Sequence, residues 1–149
     1  MTNSKPAATS PPGPPPTVLI GVAAQATRAV FDHILEPTRT PFEEWVVVNL
    51  VSSTELNRGE LVGRMVAGLH LTPADAAATV GRVIDAGLVI DGAPMTVTPS
   101  GRDLYDRTFS DLLASTQRIY GEIAADDLAT TLRVLATVTQ RADAELAST

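Results

Sequence analysis

The 149 residues include no cysteine, which excludes disulfides, zinc–thiolate sites and a cysteine nucleophile. Aromatics are scarce, at 4% against 44% hydrophobic residues, so the core has to come from Ala, Val, Leu and Ile. Such side chains favour helix packed on helix. There are two histidines, His33 and His70, and no Glu-x-x-His arrangement, so no metal site is expected. Ser/His/Asp catalysis would require one of them beside a serine such as Ser52 or Ser100, and neither a nucleophile elbow nor a glycine-rich phosphate loop is present. No catalytic residue and no cofactor are expected, and the chain does not read as an enzyme. No apolar stretch follows Met1 as in a signal peptide, and no run of about 18 consecutive apolar residues would span a bilayer. A cytoplasmic protein without a membrane partner is the expectation. Positive charge is also short: the net charge of −6 argues against indiscriminate binding to nucleic acid, though not against a local basic surface.

What remains suits one domain, since about 150 residues bury roughly 70% of their unfolded surface. Residues 1–16, rich in Pro, Ser and Ala, read as a disordered tail, and 17–149 as a single domain. Val18, Val22, Ala26, Ala29, Val30, His33 and Ile34 recur at helical spacing up to Glu36, where Pro37 ends the helix. A second helix is expected from Pro41, capped by Thr40, with Glu43 and Glu44 at its positive end. Its run FEEWVVVNLV is apolar nearly all round and suits a buried centre, with a strand as the alternative for three consecutive valines.

Two short helices should follow. Asn57 and Glu60 are spaced as a capping box ahead of Leu61, Val62, Met65, Val66 and Leu69. Thr72-Pro73-Ala74-Asp75 repeats the signature before Ala76, Val80, Val83 and Ile84, and Gly87 is the stop. Facing each other across a tight connection, they predict a helix-turn-helix. Leu88-Val89-Ile90, a turn at Asp91-Gly92 and Met95-Thr96-Val97 predict a hairpin wing. Thr98 can cap a long helix to about Ala124. Asp126 starts a last one with Leu128, Leu132, Leu135, Ala142 and Leu146 on one stripe. The fold class is therefore mostly α with a small β-hairpin wing.

This order, over about residues 17–146, resembles the MarR (multiple antibiotic resistance regulator) family. The stretch ELVGRMVAGLHLTPADAAATVGRVIDAGLV supplies Thr72, Pro73, Val80, Arg82, Val83, Gly87, Leu88 and Val89 at the family's positions. VTPSGRDL resembles its L-T-x-x-G-R segment through Val97, Thr98, Gly101, Arg102 and Leu104. The resemblance implies a winged helix-turn-helix lobe over 41–97, flanked by dimerisation helices over 17–36 and 99–147. It further implies a homodimer on a near-palindromic site in double-stranded DNA, and a small aromatic or anionic effector bound between helices and lobe.

By position the DNA-facing residues are Arg58, Ala74, Asp75, Ala77, Ala78, Thr79, Arg82 and Arg102. The effector candidates are Arg28, Phe31, His33, Trp45 and Tyr120, although an ordinary structural role is the first reading of each, and core packing that of Phe31 and Trp45. Several of the DNA-facing positions depart from a phosphate-binding surface. Alanines can touch only a thymine methyl, Asp75 repels phosphate, and the wing carries no Lys or Arg. Over residues 41–97 the acids Glu43, Glu44, Glu55, Glu60, Asp75, Asp85 and Asp91 outnumber Arg58, Arg64 and Arg82, a balance of −4. Arg82 is expected either at DNA or in an ion pair with Asp85 or Glu60, and Arg64 to balance Glu60 at helical spacing. The residues leave two functions open: a DNA-binding regulator, or a MarR-like dimer that has lost DNA reading and serves as a ligand sensor or protein-interaction module.

Overall fold

The computed structural model describes residues 13–148. They fall into two units, one ending at Thr108 and the other beginning at Phe109. In chain order the elements are α1 (Pro16–Leu35), a 3-10 turn (Glu36–Thr38), α2 (Phe42–Ser53), α3 (Arg58–Leu69), α4 (Pro73–Asp85), β1 (Val89–Ile90), β2 (Thr96–Val97), α5 (Pro99–Tyr120) and α6 (Ala125–Ala147). The expected tail lies outside the described residues as far as residue 12. Pro16, assigned to that tail, instead opens α1, because a proline in the first turn gives up an N–H that has no helical partner anyway.

In the first unit α2 is the centre. Val47 and Val48 are fully buried and Trp45 and Val51 nearly so. The valine run is helical throughout. β-Branching costs a helix at most about 0.7 kcal/mol per residue, whereas burying a valine gains about 1.5 kcal/mol or more, so packing decides. Pro41 rather than Thr40 is the N-cap, without a side-chain bond; the Thr40 backbone N–H donates instead to Thr38 Oγ1 at 3.2 Å.

The two short helices start as their signatures require. Asn57 Oδ1 accepts from the Glu60 N–H at 3.0 Å, and Glu60 Oε2 accepts from the Asn57 N–H at 2.8 Å. Thr72 Oγ1 accepts from the Asp75 N–H at 3.1 Å and donates to Asp75 Oδ2 at 2.6 Å. α4 buries Ala76, Val80 and Val83 against α2 and α3. It stops at Gly87, whose φ of 70° lets the Gly87 and Leu88 N–H groups turn back to the carbonyls of Ile84 and Val83.

β1 and β2 pair antiparallel, Val89 opposite Val97 and Ile90 opposite Thr96. The Met95 N–H donates to the Leu56 carbonyl at 2.9 Å, fastening the wing to the α2–α3 connection. Thr98 is the hinge post at its base. Its hydroxyl donates to the Gly87 carbonyl at 2.7 Å and accepts from the Gly101 N–H at 3.0 Å, where α5 begins. A Cβ on Gly101 would collide with the Leu88 carbonyl oxygen and reach Val97 Cγ1 at 2.8 Å, so only glycine lets α5 come this close to the wing.

The second unit holds the rest of α5 and all of α6. α5 ends at Tyr120 and α6 starts at Ala125 after Ala124, which offers no side-chain cap. Along α6 every residue is exposed except half-buried Leu128; Leu132 is 64% accessible, and Val134, Leu135, Val138 and Leu146 are also exposed. On α1 likewise Val18, Leu19, Val22 and Val30 are exposed and Leu35 is buried. By length and apolarity alone Pro16–Thr38 would cross a bilayer. Gln25, Thr27, Arg28 and Asp32 interrupt it, and Phe31 engages α2.

Candidate nucleic-acid interface

α4 presents Ala74, Asp75, Ala78, Arg82 and Asp85 as exposed residues, with Ala77 and Gly81 half-exposed. Thr79 does not belong to this face. It is only 4% accessible, donates to the Asp75 carbonyl at 2.9 Å and accepts from Arg82 Nη2 at 3.0 Å, which corrects its expected contact with DNA. One turn of helix places position 79 with Ala76 and Val83 on the inward stripe. Asp75 is turned back on its own cap, so its carboxylate supports the helix start while its charge stays at the surface.

The arginines are held from within. Arg82 Nε donates to Glu44 Oε1 of α2 at 2.8 Å, and that pair replaces the expected partners Asp85 and Glu60. Arg58 Nη1 donates to Asp91 Oδ2 of the wing at 2.9 Å, joining the start of α3 to the hairpin tip. Two of the three arginines of residues 41–97, Arg58 and Arg82, are therefore each paired with a carboxylate. Arg64 does not pair with Glu60, whose side chain is spent on the capping box. Exposed on α3, Arg64 has no ion-pair partner among the described residues. Arg102, exposed near the start of α5, lies 5.6 Å over the Tyr105 ring. The wing loop exposes Asp91, Gly92, Ala93 and Pro94, a tip with no cation to send into a minor groove.

Three of the five effector candidates come together. Phe31 of α1 packs edge-on to Trp45 at 4.8 Å and to Phe42 at 5.1 Å, and the Arg28 guanidinium lies 3.9 Å over the Phe42 ring. Phe42 was not among the expected residues; the signal for it is its place one turn before Trp45 on α2. Arg28 donates to Asp32 and Glu43, each at 3.0 Å. Burial works against its charge, but these two carboxylates more than offset that, and its pKa lies above the ordinary value. Two acids thus stand on this one cation. Trp45 Nε1 is buried with no hydrogen-bond partner in the structure. His33 is separate: it points to solvent and sits 3.3 Å from Glu36. Tyr120 belongs to the second unit and is half-buried there. Among the described residues no three His, Cys, Asp or Glu side chains gather where a metal ion could sit.

A helix-turn-helix followed by a two-stranded wing and flanked by long apolar helices has close counterparts among solved structures. A MarR family protein of Mycobacterium tuberculosis in complex with DNA superposes with a TM-score of 0.65 at 23% identity, covering 85% of this chain and 98% of that one. The fold is that of the MarR family. Staphylococcus aureus MarR in complex with salicylate and kanamycin matches with a TM-score of 0.68 at 16% identity, over 83% of this chain and 87% of that one. The reduced form of Escherichia coli MarR matches at 0.62 and 18% identity, over 85% and 95%. No protein-family model matches the sequence, and no curated protein matches it. The MarR-like assignment thus rests on shape and on the Thr72-Pro73, Gly87 and Thr98/Gly101 landmarks, each of which has a defined backbone role here.

Proposed function

We propose that the protein is a cytoplasmic, homodimeric, MarR-type transcriptional regulator that binds a near-palindromic site in double-stranded DNA. The observation that carries this reading is the exposed row Ala74, Asp75, Ala78 and Arg82 on α4, set between α3 and the wing in a fold whose Mycobacterium tuberculosis counterpart was solved with DNA. Alanines at a groove surface permit close approach and apolar contact with thymine methyls. Arg82, if released from Glu44, would meet a guanine edge or a phosphate. Arg64 and Arg102, which no carboxylate holds, would add backbone contacts. A second copy is the proposed cover for the apolar faces of α1 and α6, because side chains as open as Leu132 and Val22 gain most from burial against their own kind. A small aromatic effector is the reading for the Phe31–Phe42–Trp45 cluster; Staphylococcus aureus MarR was solved with salicylate, but the acids around Arg28 favour an uncharged ring here.

One observation favours the second reading, a dimer that senses a ligand without reading DNA: Arg58 and Arg82 are both neutralised internally. Selection of bound duplexes from a random library separates the two. The regulator enriches an inverted repeat with half-site centres about one helical turn apart, ~34–36 Å. No enrichment by the folded protein in low salt ends the DNA-binding reading and leaves the sensor.

A further inference from the structure

The end of α2, the wing and the first turn of α5 line an open cavity of about 410 Å³. Its floor is apolar, formed by the buried Val51 and Met95. Two opposite charges stand on its wall, Glu55 and Arg102, and neither makes an ion pair with the other or with any described residue. Ser52, also on the wall, keeps its Oγ buried with no hydrogen-bond partner. A buried hydroxyl without a partner is costly, and two unpaired opposite charges on one concave surface leave a gap that a ligand can bridge.

The charge pattern selects the ligand. A simple anion attracted to Arg102 meets Glu55, and a simple cation meets the reverse. A molecule carrying both charges on a short spacer satisfies both walls. We propose that this cavity binds a small zwitterion, an α-amino acid or close analogue. Its carboxylate lies on Arg102 and its ammonium on Glu55, with an apolar side chain toward Val51 and Met95. A guanidinium is suited to this because it offers a planar fork to a carboxylate. The ligand would also brace the wing, since Met95 and Thr96 line the cavity from the hairpin side. The ligand site does not require DNA binding, and its test reads ligand heat alone, although Arg102 is shared with the proposed backbone contacts.

Calorimetric titration of the full chain with free α-amino acids, and with the carboxamide and N-acetyl form of each, tests the proposal. At least one free amino acid should bind in the millimolar range or tighter, with both capped forms about tenfold weaker. R102Q should erase the preference over the carboxamide, and E55Q the preference over the N-acetyl form. Silence of every free amino acid up to about 10 mM overturns the proposal. So does discrimination that survives either charge-removing variant.

Discussion

Arg82 of α4 and Glu44 of α2 are joined at 2.8 Å across the helix contact that positions α4. The arginine head is 57% exposed and the carboxylate only 15%, so Glu44 is the fixed partner and Arg82 the movable one. On the proposed reading, DNA and Glu44 compete for one guanidinium. E44Q should therefore tighten binding to the selected duplex by about tenfold and steepen its salt dependence. It should leave stability within about 1 kcal/mol, as glutamine keeps an acceptor for Arg82 and the arginine side of the pair is exposed. Fluorescence anisotropy at two salt concentrations reads the first effect, and thermal melting the second. Weaker binding by E44Q would mean that the pair orients Arg82 for DNA rather than withholding it.

The wing base should be the most sensitive point of the lobe. Gly101 has no room for a methyl group against the Leu88 carbonyl, so G101A should cost about 3 kcal/mol, at the upper end of overpacking. T98V removes a hydroxyl that serves both Gly87 and Gly101 and should cost about 1–2 kcal/mol. Chemical denaturation of both variants measures this; a G101A loss no larger than that of T98V would contradict the close approach.

Trp45 is the one tryptophan, and its indole N–H is buried without a partner. W45F keeps most of the packing against Phe31 and removes the orphan donor, so it should change stability by less than about 1 kcal/mol. W45A should cost about 3–5 kcal/mol. Should W45F prove as damaging as W45A in thermal melts, the indole N–H has a partner, such as a bound molecule, in solution.

Charge on α6 should separate the copies. L132E places a carboxylate in the middle of the proposed interface, on a residue that is 64% accessible in the single chain. The variant should sediment at the mass of one chain, keep its helical circular dichroism signal, and lose selective DNA binding with the dimer. A wild-type protein that already sediments as one chain at micromolar concentration removes the dimer from the account.

Much of the fold was legible because its cues are local. The Asn57–Glu60 box, the Thr72 cap, the left-handed Gly87 and the Thr98 cap each act within a few residues, and all four form. The buried course of α2 was readable from apolarity on every side of the run. Thr40 misled because Pro41 takes the cap position and leaves the hydroxyl outside the helix. The candidate site was less legible. Glu44 and Arg82 lie 38 residues apart, and Arg58 and Asp91 lie 33 apart, so their pairing depends on how α2, α4 and the wing pack. The inward turn of Thr79 follows from the orientation of α4 in the same way. At the cavity, Ser52 and Glu55 stand at and just past the end of α2 while Arg102 comes from α5, so no local sequence pattern joins them.

The central claim is that this lobe recognises duplex DNA as a pair of copies with few phosphate contacts, its lobe cations being partly held by its own acids. The salt dependence of binding to the selected duplex tests it most directly. A plot of log K against log salt should be linear with a shallow slope of roughly −2 to −4, corresponding to one or two phosphates neutralised by each copy. A slope of about −8 or steeper would reveal a cation-rich surface that the ion pairs deny, and an absence of selective binding at low salt would contradict DNA recognition itself.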